Sequence, residues 1–585
     1  MVRYVLSFKP VTHGFGSHDP SAAIFRDGSL VYGIEEERLS RQKHATDDFP
    51  SRAIQACLDY CNIKLNDIDR IYLPYEPSLY GYSVRERLSS LPGKLLDAET
   101  RGKSLYLTER TAEKYIGAKA GFLTGLVRTE LAAVFDDPIP PLETLEHHRC
   151  HAASAHFPAP FDEGLVVTVD GLGEYDATVV WRTKGDDLKR VRTYEFPNSL
   201  GHFFGAVTDF LGYRAFNGEG KVMGLAPYGN PNEAIESTLR AEIDLGVDYD
   251  VTGITDNGIE SGVARLEELF GEADRSSGTT FTQWEKDFAY TVQRLLEETV
   301  TDIVDHYATR LGTGNIGLAG GVALNCKMNK RVMELPAVET LFIQPVAHDG
   351  GLAIGAGYLD SCTHEEMTTV YLGNDYKRDS IRAELKKDKI EYIEPDDLER
   401  YVAERIADGE LIGWHQGRME MGPRALGNRS IVADPRTIAS RDRVNEFVKH
   451  REEWRPFSPS LLEDAMDEYL VDAQQAPFMI KTFDVPDDQK DNIPAVLHPA
   501  DDTTRPQTVN EDQNPRYYRL INEFESITGV PVVLNTSFND HGEPIVNTPQ
   551  EAIKDFFGMG LDVLVVGDFV VEKGDCGGGT DTQSE

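Results

Sequence analysis

The chain has 585 residues and a mass of 65.2 kDa, with 98 Asp plus Glu against 59 Lys plus Arg and a net charge of -39. At about 150 residues per domain this is two to four domains, and a 40% hydrophobic fraction supplies a core for each. No apolar run reaches the roughly 18 residues of a membrane span, and so acidic a surface repels polyanions, so neither a membrane nor a nucleic-acid partner is expected.

The first predicted strand, Val2 to Phe8, runs into a Gly-rich loop through His18 and Asp19. A strand from Ser21 to Phe25, a turn at Arg26-Asp27-Gly28 and a returning strand from Leu30 to Ile34 follow. The same order recurs later. Leu165 to Val169 is a strand, Asp170-Gly171-Leu172-Gly173 a loop, Ala177 to Trp181 a second strand and Leu188 to Tyr194 a third, so an internally duplicated α/β domain is expected.

Asn315 to Leu318 and Leu341 to Gln344 are short apolar strands. Each ends in a Gly loop, Ala319-Gly320-Gly321 and His348-Asp349-Gly350-Gly351, that opens an apolar helix. Free N–H groups at such a helix start can hold phosphate. Beyond Tyr371 the pattern changes, with strands expected at Leu411 to His415, Ser430 to Ala433, Val530 to Leu534 and Val563 to Val566. This divides the chain into a first unit, 1–365, a second, 366–575, and a disordered tail, 576–585. The acidic loop Asp484 to Asp491 is expected to be solvated.

Six cysteines (Cys57, Cys61, Cys150, Cys326, Cys362, Cys576) form no Cys-x-x-Cys pair, which fits a reducing compartment. Met1 to Pro10 lacks a basic region followed by an apolar one, so a cytoplasmic address is expected. The 59 basic residues are 22 Lys and 37 Arg, and the acidic residues are spread along the chain. That distribution points to the cytosol of a halophile, where molar salt shortens the Debye length to about 3 Å and screens the self-repulsion.

His147 and His151 are four apart and share one face if the segment is helical, a common way for two imidazoles to reach one metal. Asp170 and Asp349 are the carboxylates that could join them, a mixed set that suits Fe(II), Mn(II) or Zn(II) better than Ca(II). In the second unit the basic residues cluster within an acidic chain. Arg424 and Arg429 in Met421-Gly422-Pro423-Arg424-Ala425-Leu426-Gly427-Asn428-Arg429 come first, then Lys449, Arg451 and Trp454-Arg455-Pro456-Phe457, with Arg505 and Asn535-Thr536-Ser537 later. Arg forks match phosphate oxygens, so an anionic substrate is expected there.

His18-Asp19-Pro20-Ser21-Ala22-Ala23, the His147 to His151 run, Glu219 to Gly229 and Gly320 to Asn325 resemble the O-carbamoyltransferases of the nodulation-factor, cephamycin and tobramycin type. The resemblance extends to about Val571. It implies an actin-like, sugar-kinase-like first domain and a YrdC-like second one. It further implies that carbamoyl phosphate and ATP give carbamoyl adenylate in the second domain, which the first uses to carbamoylate a hydroxyl of a small-molecule or sugar acceptor. By the same resemblance His147, His151, Asp170 and Asp349 are the ligands of a divalent transition metal, and Fe(II) is the ion expected. Arg424, Lys449, Arg455, Arg505, Asn535 and Ser537 form the carbamoyl phosphate site, and Lys221, Gly320, Gly321 and Asn325 lie where nucleotide contacts are expected. His18 or Asp19 would serve as general base. A homodimer is open on the sequence.

Two departures stand out. His148-Arg149-Cys150 replaces a smaller His-Leu-Ala between the histidines, and Ala500-Asp501-Asp502-Thr503-Thr504 adds a carboxylate beside the implied anion site. Two rival readings share parts of the pattern: a threonylcarbamoyl transferase acting on tRNA, and a nucleotide-dependent interaction protein without transfer activity.

Overall fold

The structure, a computed structural model, describes residues 2–12, 15–79, 121–271, 281–451 and 454–573. The expected disordered tail, 576–585, lies outside the described residues.

Two five-stranded sheets build the first unit. The first holds β1 (Tyr4–Lys9), β2 (Ser21–Arg26), β3 (Ser29–Glu35), β4 (Arg70–Leu73) and β5 (Leu142–Thr144), in the order β3-β2-β1-β4-β5. The second holds β6 (Glu163–Val169), β7 (Asp176–Lys184), β8 (Asp187–Glu195), β9 (Asn315–Ala319) and β10 (Thr340–Ile343), in the order β10-β9-β6-β7-β8. Read from its far edge, the second order repeats the first. The orientations repeat as well: antiparallel hairpins join the first three strands of each set, and parallel pairs add the last two. The expected duplication is thus present in the topology.

Two helices lie between these sheets. α1 (His147–His156) packs on β6 and β9, α2 (Leu352–Ser361) packs on β1, β2 and β4, and the two helices cross each other. Their approach is close enough that a Cβ on Gly355 would fall 1.8 Å from the Cys150 carbonyl oxygen, so only glycine fits at the crossing. The Gly loops before and beside these helices are therefore brought to one place, at the ends of β6, β9 and β10.

The second unit is a seven-stranded mixed sheet of β11 (Ile412–His415), β12 (Arg429–Ala433), β13 (Ser458–Leu462), β14 (Gln507–Val509), β15 (Val532–Ser537), β16 (Val563–Val566) and β17 (Phe569–Glu572). Its order is β14-β13-β15-β12-β11-β16-β17. Buried residues from Ile381 to Val571 make its core. Met421, Leu426, Phe478, Met479 and Ile480 instead join the core of the first unit, so the two units share a packed boundary.

Every expected strand is found, within a few residues at each end. Five strands escaped the sequence reading: β4, β5, β13, β14 and β17. β5 and β14 have three residues each, too few for a period, and β13 carries Pro459, which argues against a strand by composition. Asp484, Asp487, Asp488 and Asp491 are exposed, as expected of the acidic loop. Cys57, Cys61, Cys150, Cys326 and Cys362 are free thiols, and no described helix is long and apolar enough to cross a membrane.

Candidate metal and anion site

The helix His147–His156 turns two buried imidazoles to the same side. Its start is held by Glu174, whose carboxyl accepts the His147 N–H at 3.0 Å; burial pushes that carboxyl up to about 8, against its backbone hydrogen bonds. His147 Nε2 lies 3.1 Å from Asp170 Oδ2 and 3.5 Å from Asp349 Oδ1. His151 Nε2 lies 3.8 Å and 3.6 Å from the same two oxygens. The four ligand atoms all fall within 4.8 Å of one another. Both ring nitrogens of His151 are buried with no hydrogen-bond partner, the signature of a group that a cation would satisfy. Two imidazoles with two carboxylates form a donor set suited to a divalent transition ion, so these residues fit such a metal. The bulky run between the histidines leaves the set intact, because His148 turns away to Thr168 Oγ1 and the Asp176 carbonyl.

Around this set the structure adds residues that sequence reasoning missed. Lys9, buried at the end of β1, places Nζ 3.2 Å from Asp349 Oδ2 and donates to the His18 carbonyl. Burial opposes the charge on Asp349, but Lys9 and His147 outweigh it and hold the carboxyl well below the usual range. A lysine closing an otherwise uncharged, largely apolar strand was the available signal.

His18 and Asp19 sit beside the cluster. Asp19 accepts from His18 Nδ1 at 2.9 Å and from His44 Nδ1 at 2.8 Å. Although burial opposes its charge, these bonds hold Asp19 well below the usual carboxylate range, which makes it a poor base and a good orienting group. With its proton on Nδ1, neutral His18 keeps its lone pair on Nε2, so of the two candidates His18 is the better base.

The nucleotide candidates fare unevenly. The Gly321 N–H, expected to be free for phosphate, donates to Asp170 Oδ1 at 2.9 Å. Asn325 caps the helix Cys326–Met333 by accepting the Met328 N–H at 3.0 Å, and its amide also exchanges hydrogen bonds with Gln293 at 3.0 and 2.9 Å. Its side chain is committed to structure because it is the N-cap of the helix that the Gly loop opens. Gly320 takes a φ of +89° against the Val169 backbone and does not line the cavity, whereas Lys221 does and lies over the Tyr213 ring.

Arg424 and Arg505 meet at the other end. Arg505 donates through Nε and Nη2 to Ser458 Oγ at 3.1 and 2.9 Å, while Arg424 Nε is buried without a partner. Burial and the neighbouring Arg505 pull Arg424 down to about 9, and among the described residues neither guanidinium pairs with a carboxylate. Two such cations side by side call for an anion. Asn535 donates to Ser460 Oγ at 2.9 Å and leaves its Oδ1 buried and unpaired. Lys449 differs from expectation: it is buried beneath the site, donating to the Ser537 and Asn539 carbonyls at 2.6 and 3.0 Å, and so braces the Asn535–Ser537 strand end. Lys43, contributed by the first unit, joins Arg455 along the wall and was missed because it lies far in sequence from the basic residues of the second unit. Asp501 pairs with Lys327 and Asp502 with Lys490, so the added carboxylates are neutralised by neighbouring lysines.

Both ends open into one cavity of about 880 Å³, lined by His147, Asp170 and Asp349 at one side and by Arg424, Arg455 and Arg505 at the other. His151 and Lys449 stand behind its wall.

Residues 13–358 match the carbamoyltransferase N-terminus, and residues 403–573 match the carbamoyltransferase C-terminus. The chain belongs to the carbamoyltransferase family. It is 37% identical to the nodulation protein NolNO of Sinorhizobium fredii, over 95% of this chain and 79% of that one. The protein sll1178 of a Synechocystis strain is 36% identical, with 95% of both chains covered. The 3'-hydroxymethylcephem-O-carbamoyltransferase of Amycolatopsis lactamdurans is 25% identical, over 96% of this chain and 98% of its own. Among solved structures, full-length HypF in its phosphate- and nucleotide-bound form overlaps loosely, with a TM-score of 0.35 and 12% identity over 61% of this chain and 55% of that one. This carbamoyltransferase is therefore an enzyme whose two family-defining parts, the N-terminal and C-terminal units, face each other across a shared cavity.

Proposed function

We propose that the enzyme uses carbamoyl phosphate and ATP to carbamoylate a hydroxyl of a small-molecule or sugar acceptor, through carbamoyl adenylate. The observation that carries this reading is the pair Arg424 and Arg505, cations without carboxylate partners, opening into the same cavity as the His147, His151, Asp170 and Asp349 set. The division of labour follows the chain, with 366–575, in our reading YrdC-like, binding carbamoyl phosphate and 1–365, actin-like, carrying out transfer.

Arg424, Arg455 and Arg505 bind and orient the phosphate, and Asn535 Oδ1 is free to accept from the carbamoyl NH2. As carbamoyl adenylate forms, one water is consumed and phosphate and pyrophosphate are released. The acceptor oxygen then attacks the carbamoyl carbon, AMP leaves with the bonding electrons, and the hydroxyl proton passes to His18 Nε2. A divalent ion held by the four ligands, Fe(II) in our reading, would supply Lewis-acid stabilisation of phosphate charge. Enclosure in one cavity limits loss of the reactive carbamoyl group to water.

The test is AMP release from ATP by purified, metal-loaded protein. AMP that appears only with carbamoyl phosphate supports the reading. AMP that appears without it, or not at all, overturns it.

A further inference from the structure

The two ends of the cavity are carried by two loops, and one buried carboxylate touches both. Glu35, the last residue of β3, faces the metal loop through Oε1, which lies 3.2 Å from His348 Nε2. His348 Nδ1 accepts the Gly350 N–H at 2.8 Å, so the ring proton sits on Nε2, toward Glu35. The imidazole is thereby clamped at both nitrogens, and the next residue in the chain is the ligand Asp349.

Through Oε2 the same carboxylate faces the arginine loop. It accepts the Gly422 N–H at 3.1 Å and Arg38 Nη2 at 3.0 Å, while Arg38 Nη2 also donates to the Gly422 carbonyl at 2.7 Å. Both polar groups of the Gly422 peptide are held by the first unit. Gly422 has a φ of +103°, which glycine alone holds without strain, and two residues later the chain presents Arg424.

We propose that Glu35 is a positioning residue that ties the metal loop to the arginine loop, keeping the two ends of the cavity in register. This rests on the proposed function, in that it takes the four-ligand set as a metal site and Arg424 with Arg505 as an anion site. The hydrogen bonds of Glu35 go to His348 on one side and to Arg38 and Gly422 on the other, and it acts through them. A plain inter-unit ion pair would stabilise the fold without linking the two binding events.

The test measures binding of Co2+ and of inorganic phosphate, by calorimetry, to the full chain and three variants, with melting curves to confirm folding. Glu35→Ala removes both acceptor oxygens and weakens both probes, each by about tenfold, the lower end of what an outer-shell partner contributes to a metal site. Arg38→Lys, with a shorter side chain, places its single nitrogen short of the Nη2 position between Glu35 Oε2 and the Gly422 carbonyl, and weakens phosphate alone. His348→Gln loosens the metal loop and weakens Co2+ alone. If Glu35→Ala weakens one probe or neither, the bridge is wrong. Should that variant not fold, the one-sided variants decide, since loss of both probes or of neither in either of them overturns the bridge. An unmodified chain that binds neither probe overturns the proposed function instead.

Discussion

Lys9 Nζ lies 3.2 Å from Asp349 Oδ2 and donates to the His18 carbonyl, so one buried ammonium joins a carboxylate of the metal set to the candidate base. A buried cation beside a cation site has a defined consequence. Without metal, Lys9 neutralises Asp349; with metal, the ion shares that task. Lys9→Met should therefore destabilise the chelated protein by about 3 kcal/mol, the cost of breaking a buried pair, and the Co2+-loaded protein by less. Melting curves with and without Co2+ check this, and equal losses would refute it.

The metal set itself is tested by composition. The purified enzyme should carry about one equivalent of a divalent transition ion, and His151→Ala should reduce it to background. His151 serves better than His147 here because it stands behind the cavity wall, so its loss leaves the substrate surface nearly unchanged. Metal analysis of both proteins decides, and full retention in the variant would exclude the ligand set.

How far the sequence already revealed this site depends on the kind of contact. His147 and His151 were legible because helical spacing puts them on one face, and Asp170 and Asp349 because Gly loops follow apolar strands. The resemblance put Arg424 and Arg505 in one site, but their pairing was not legible from spacing: 81 residues, with β12 and β13 among them, separate the two, and the sheet order β14-β13-β15-β12 brings them together. Asn325 lines the cavity, but its amide is also engaged by Gln293 and the helix cap, contacts that no spacing in the sequence foretold. Glu35 and Arg38 were not singled out, because nothing in the charged run Glu35-Glu36-Glu37-Arg38 marks them as buried.

Arg424 and Arg505 make a trade between stability and binding. Arg424→Met relieves a like-charge contact and fills the same space, so it should raise the melting temperature in phosphate-free buffer. It should also weaken phosphate binding by roughly tenfold to a hundredfold, the loss of about 1.5–3 kcal/mol from a charged hydrogen bond. A variant that melts lower and binds phosphate normally would show that the pair is structural.

The net charge of -39 sets a further expectation. If the acidic surface is adapted to a high-salt cytosol, the melting temperature should climb steeply between about 0.1 and 2 M KCl as repulsion is screened. Thermal melts across that range check it, and a flat curve would remove support for the halophilic reading.

The central claim is that carbamoyl activation depends on the arginine end of the cavity and transfer on the metal end. It is tested by following phosphate release and carbamoylated product separately, with ATP, labelled carbamoyl phosphate and a small-molecule cell extract as the source of acceptor. Arg455→Ala should lose phosphate release and product together, by roughly thirty-fold to a thousand-fold, since a buried charge-assisted phosphate contact is worth about 2–4 kcal/mol. His147→Ala should keep phosphate release and lose product. If both variants, still folded, lose both activities to the same degree, the two ends do not act separately and the account is contradicted.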